Sequence, residues 1–146
     1  MAEAKVWFSE ETRCMLESEG IKEGVSIRVI ATKALQSIGI VHAYNREGKV
    51  FVELDGLTKS VLSVIEIPRT LHGKLEVYLN TSKEVYGGLT RIAKEMGFSV
   101  EDVFHRAVGL YGAIRILRCR GSAFGIATLS PRVLYAELFI PGITVL

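Results

Sequence analysis

Cysteine, proline and histidine are scarce in this chain, and each shortage closes off a class of function. Two cysteines, Cys14 and Cys119, are too few for a metal cluster or a disulfide framework, so both are expected to be buried free thiols. Three histidines, His42, His72 and His105, are scattered with no second metal ligand at helical spacing, and each is expected to be structural or on the surface. Paired carboxylates, a nucleophile elbow and a phosphate-cradling glycine loop are missing as well. The chain therefore reads as a non-enzyme that holds no cofactor and no metal. Only three prolines and no low-complexity run, in a sequence 49% hydrophobic and 23% charged, predict a chain that folds.

Long apolar runs are absent too, with none near the roughly 20 residues of a membrane span. The opening MAEAKVWFSEE has no basic patch followed by an apolar h-region. The expectation is a soluble cytoplasmic protein with no membrane partner. Nor does one sign of charge dominate, since the net charge is +2. Residues 1–73 hold nine Lys/Arg against ten Asp/Glu, and residues 74–146 hold nine against six. The second half is mildly basic, a hint of a polyanionic partner.

What is present is a repeat. At an offset of 73 residues, Leu16 falls on Leu89, Gly24 on Gly97, Ser26 on Ser99, Ala34 on Ala107 and Gly39 on Gly112. Gly48 then meets Gly121, Phe51 meets Phe124, Ile67 meets Ile140 and Pro68 meets Pro141, with no gap between positions 16 and 68. Matched glycines and prolines punctuate the backbone and are not interchangeable core filler. The chain is expected to be two copies of one unit, residues 1–68 and 75–146, joined by a linker at 69–74.

Each unit reads as strand, helix, helix, hairpin. In KLEVYLN, Leu75, Val77 and Leu79 alternate with Glu76, Tyr78 and Asn80, the period of a half-buried strand. Thr81 with Glu84 has the form of a capping box opening a helix that Gly97 closes, and Gly87-Gly88 inside it suggests a close helix approach. Ser99 with Asp102 opens a second helix carrying Val103, Phe104, Ala107, Val108, Leu110, Tyr111 and Ile114, an apolar face too wide for packing on one side. Two short strands then flank Ser130 and Pro131. In the first unit Val6 and Phe8 face inward and Lys5, Trp7 and Ser9 outward, Ser9 caps the first helix after a turn two residues shorter, and Asp55-Gly56 signals the hairpin. The first unit's second helix, VSIRVIATKALQSIGIVHAY, is apolar on more than one face and must be buried in the pair or against another chain.

The run LEVYLNTSKEVYGGLTRIAKEMGFSVEDVFHRAVGLYG resembles the ribbon-helix-helix fold of the MetJ/Arc superfamily over residues 75–112, and residues 5–39 resemble it more weakly. The two hairpins lie outside that family's minimal core. The resemblance implies an α+β pseudo-dimer in one chain, with both N-terminal strands paired as an antiparallel ribbon that enters the major groove of double-stranded DNA. It also implies a sequence-specific transcriptional regulator. Lys5, Trp7, Ser9, Glu76, Tyr78 and Asn80 would meet base edges, with Asn80 suited to adenine. The helix starts at Ser26 and Ser99 would hold phosphates. Trp7 and Tyr78 are also placed to pack on each other across the ribbon. A carboxylate at Glu76 is unfavourable near phosphates unless it accepts from a cytosine amino group.

Two other readings of the same residues are open. LTRIAKEMGFSVEDVFHRA has the outline of a helix-turn-helix, but Phe104, Val108, Tyr111 and Ile114 occupy the surface a reading helix needs polar. The other reading is an assembly or adaptor module without DNA, forming homo-oligomers through the apolar second helix of the first unit.

Overall fold

Alternation in the first strand decides where the core begins. Val6 and Phe8 are buried while Lys5 and Trp7, which alternate with them, are exposed, so one face of a seven-residue strand carries all its apolar burial. The computed structural model describes residues 3–68, 73–129 and 132–137. Among these are six strands and four helices of an α+β fold: β1 (Glu3–Ser9), α1 (Glu10–Glu23), α2 (Ile27–Arg46), β2 (Val50–Leu54) and β3 (Val61–Ile65). The same order returns in β4 (Leu75–Ser82), α3 (Lys83–Met96), α4 (Val100–Cys119), β5 (Ala123–Leu129) and β6 (Arg132–Glu137). His72, Ser130 and Pro131 lie outside the described residues.

Both antiparallel sheets draw strands from both halves. β1 pairs with β4 as a two-stranded ribbon, and the second sheet runs β3-β2-β5-β6. In the ribbon Val6 faces Leu79, the residue 73 positions further on, so the register is symmetric about that pair. The larger sheet has the same property, since Val52 faces Gly125, again 73 positions apart. Phe51 and Phe124, matched at the same offset, stack with ring centroids 5.6 Å apart.

Local chemistry sets the helix ends. Ser9, Ser26, Ser82 and Ser99 are the N-caps, each hydroxyl accepting from the backbone N–H three residues on. Gly24 and Gly97 end α1 and α3 in the left-handed conformation, with φ of 69° and 76°. The cap of α3 is thus Ser82 and not Thr81, which stays in the ribbon opposite Ala4. Because Ser9 and Ser82 are also 73 residues apart, the first unit's turn into helix is not shorter. Asp102 does not reach back to complete a box at Ser99; it accepts from Arg106 Nε at 3.1 Å.

The main interior cluster is built from every helix, the ribbon's inner face and the near face of the sheet, including Phe8, Leu16, Ile30, Ile38, Phe51, Leu89, Phe104, Leu110, Tyr111, Ile114 and Phe124, and a smaller one gathers Val52, Leu54 and Ala127 of the sheet. Phe8 and Phe104 meet with centroids 5.3 Å apart. Each such large apolar side chain contributes about 1.5–3 kcal/mol when fully buried. α4 buries more of its length than α2, with even His105 and Arg106 inside. α2 buries Ile30, Ala31, Ala34, Ser37, Ile38 and Val41 and exposes Arg28, Val29, Thr32 and Gln36.

Several expectations are corrected. Cys14 and Cys119 are free but exposed, because Cys14 lies on the outer side of α1 and Cys119 is the last residue of α4. A Cβ at Gly87 or Gly88 would meet nothing within 4 Å, so these glycines mark no close helix approach. The β2–β3 turn is a longer loop than Asp55-Gly56 suggests: the Asp55 N–H donates to the Ser60 carbonyl, and its carboxylate accepts from the Leu57 and Thr58 N–H groups at 2.9 Å. Those bonds hold the Asp55 carboxyl below the usual carboxylate range. Its left-handed residue is Lys59, whereas at Gly56 a Cβ would run into the carbonyl oxygen of Gly121.

Candidate functional site

The ribbon's outer face is the surface that the pairing leaves uncovered. Alternation from buried Val6 and Phe8 puts Lys5 and Trp7 on it from β1, and Glu76, Tyr78 and Asn80 come from β4. The register sets Lys5 opposite Asn80 on one side of the Val6–Leu79 pair and Trp7 opposite Tyr78 on the other. The rings of Trp7 and Tyr78 lie 5.1 Å apart at 50°, the expected cross-strand aromatic pair, and contribute about 0.5–1.5 kcal/mol beyond their burial. Both remain accessible, at 40% and 45% exposure. Lys5 leans diagonally across the ribbon, its Nζ 4.5 Å from the centre of the Tyr78 ring.

Two residues at the end of the ribbon do not lie as the alternation implies. Ser9 is buried at 2% exposure: the register shifts between Phe8 and Ser9, turning its hydroxyl inward to Thr12 N and Thr12 Oγ1 at 3.2 and 3.0 Å. Ser9 is therefore a cap and has no part in the outer face. Leu75, expected inward, is exposed at the opposite side of the same irregularity. Thr12 Oγ1 continues the buried chain to His105 Nδ1 at 2.9 Å, so His105 is a core residue held by hydrogen bonding.

The helix starts flanking the ribbon differ in charge. Ser26 is exposed and caps α2, whose first turn carries no acid. Arg28 in that turn donates from Nη2 to the Asn80 carbonyl at 2.7 Å, tying α2 to the ribbon. Strand and cap patterns do not point to Arg28 as a neighbour of the ribbon; its place two residues after a capping serine is the available signal. Ser99 is exposed and caps α4, but Glu101 and Asp102 fill that first turn, where their charges already complement the helix dipole. Anion binding is disfavoured there for the same reason.

Elsewhere the polar clusters are internally satisfied, with the exception of one Glu19 oxygen. Arg106 is taken up by Asp102, by the Pro68 carbonyl at 2.9 Å and by the Phe98 ring at 4.1 Å, although it borders a cleft of about 820 Å³ with Lys49 and Glu66. His42 bonds Glu95 at 2.8 Å, which together with Arg46 lowers the Glu95 pKa. Glu23 gathers the Tyr111 hydroxyl and Lys33 Nζ, and Arg115 Nε stands 3.2 Å from Glu19 and 3.3 Å from Glu23. The Arg115 contact to Glu19 is an ion pair without aligned hydrogen bonding, which leaves Glu19 Oε2 buried with no hydrogen-bond partner. Among the described residues no group of three or more His, Cys, Asp or Glu is disposed to hold a metal ion, and no single helix is long and apolar enough to cross a membrane. No family model, curated protein or solved structure matches this chain.

Proposed function

We propose that the chain is a ribbon-helix-helix module folded as a pseudo-dimer from one polypeptide, and that it acts in the cytoplasm as a sequence-specific DNA-binding regulator. The observation that carries this reading is the β1–β4 ribbon, symmetric about Val6 and Leu79, with its outer side chains clear of the core. A two-stranded antiparallel ribbon has the width of the major groove, and alternate side chains reach base edges from it. Lys5 and Asn80 supply the groups that pair with guanine and adenine, and the acid-free start of α2 offers N–H groups and Arg28 to a phosphate.

Fragments of the protein's own genome, tested by mobility shift, should be retained at low salt and released steeply as salt rises. Asn80→Ala should weaken the preferred fragment about tenfold while changing random DNA little. Failure to retain any fragment at low salt would remove the reading.

A second reading is an assembly module that keeps the core but meets protein through the ribbon. It is favoured by the exposed Trp7–Tyr78 pair, since aromatic residues concentrate at protein interfaces. It predicts a defined oligomer by light scattering, dispersed by Trp7→Ala, with no salt-sensitive retention of DNA.

A further inference from the structure

The outer face of the ribbon is divided at the Val6–Leu79 pair. Residues 73 positions apart are symmetry equivalents, so Lys5 corresponds to Tyr78 and Trp7 to Asn80. In a dimer of identical chains such equivalents would be the same residue, and the two half-sites would be the same sequence read in opposite directions. Here both equivalent pairs differ, and the register sorts them by chemistry. Lys5 and Asn80 face each other at one end; Trp7 and Tyr78 face each other at the other, with Glu76 beyond them on β4.

Charge at the helix starts follows the same division. At the Lys5–Asn80 end, Arg28 of α2 is bonded to the Asn80 carbonyl at 2.7 Å, and the first turn of α2 has no acid. The equivalent of Arg28 in the second half is Glu101, with Asp102 beside it in the first turn of α4. Along the strands the acids are balanced, since Glu76 has its equivalent in Glu3, opposite Ser82 beyond Lys5; the helix starts are not, with Arg28 at one and Glu101 at the other.

Resting on the DNA reading above, we infer that a single chain recognises a non-palindromic duplex site, with bases specified at the Lys5–Asn80 end of the ribbon and the Trp7–Tyr78 end packing in the groove without fixing sequence. An ammonium pairs with the O6 and N7 acceptors of guanine, and a carboxamide pairs bidentately with the N6 and N7 of adenine. The indole and phenol stacked on each other present mainly apolar surface to the groove. Glu101 in the first turn of α4 repels a phosphate at that end, where its equivalent in α2 is Arg28, so the backbone anchor is one-sided as well.

The test is selection of the full chain on a randomised duplex pool, followed by titration of the winning site at several salt concentrations. The expected result is one chain per site and a consensus with fixed purines on one side of its centre only. Asn80→Asp and Lys5→Ala should each flatten that side, lowering affinity for the winner about tenfold. Trp7→Phe with Tyr78→Phe, a pair chosen to preserve folding, should leave the consensus unchanged. A palindromic consensus, or a consensus whose other side shifts in the Phe variants, overturns the inference and leaves the DNA reading standing. No retained sequence at low salt removes the DNA reading and the inference together.

Discussion

Ser82 and Thr81 stand side by side at the start of α3, and only one of them caps it. Ser82→Ala should cost about 1 kcal/mol in urea denaturation, because it strips the acceptor from the Val85 N–H at 3.2 Å. Thr81→Ala should cost clearly less, and the opposite ranking would return the cap to Thr81. Local pattern favours Thr81, which has an acid three residues on. What decides against it is strand pairing across the molecule, since the ladder runs out to Glu3 opposite Ser82 and keeps Thr81 extended. The same long-range register turns Ser9 inward and Leu75 outward, while the strand alternation at Lys5, Val6, Trp7 and Phe8 is readable from the residues alone. The Trp7–Tyr78 pair was legible because it needs only alternation and an antiparallel partner. Arg28 beside the ribbon was not, since its bond to Asn80 spans 52 positions.

At the scale of elements, α1, α2 and α4 are held together by a polar cluster that no local pattern discloses. Glu23 is partly buried, which raises its pKa, but hydrogen bonds from Tyr111 and Lys33 and the charges of Lys33 and Arg115 outweigh burial and hold it below 4.5. Burial and the hydrogen bond to Glu23 push the Tyr111 phenol well above its usual 10.0, so it remains a donor at neutral pH. A carboxyl with a depressed folded pKa contributes stability above its unfolded pKa and loses it as pH falls through the folded value. Glu23→Gln should therefore melt below the parent at pH 7, with the gap narrowing as pH drops below 4.5. Equal gaps at pH 7 and pH 3 would mean that the charge of Glu23 contributes nothing. The repeat gives no help in finding this cluster, because the equivalents of Glu19, Glu23, Lys33, Tyr111 and Arg115 are Ile92, Met96, Arg106, Ile38 and His42. The helices themselves were legible from their serine caps and closing glycines; their rotation about their own axes, which buries Glu19 and exposes Cys14, was set by packing between halves.

For the whole molecule, the offset of 73 residues is visible in the sequence and carries through to the element boundaries. That both hairpins would merge was not visible, because the β2–β5 pairing joins strands 73 residues apart that carry no signal for each other. Since the ribbon and the four-stranded sheet each take strands from both halves, neither half keeps a complete sheet without the other. Unfolding should be a single cooperative transition, with near-UV and far-UV circular dichroism changing at the same denaturant concentration. Two separated transitions would mean that one half holds its structure alone. The symmetric register at Val6 and Leu79 also has a genetic meaning. In a dimer of identical chains, one codon change appears at both ends of the ribbon, and a gain at one end must be tolerated at the other. In this chain each codon addresses one end alone, so position 5 is free to change without position 78, and position 7 without position 80.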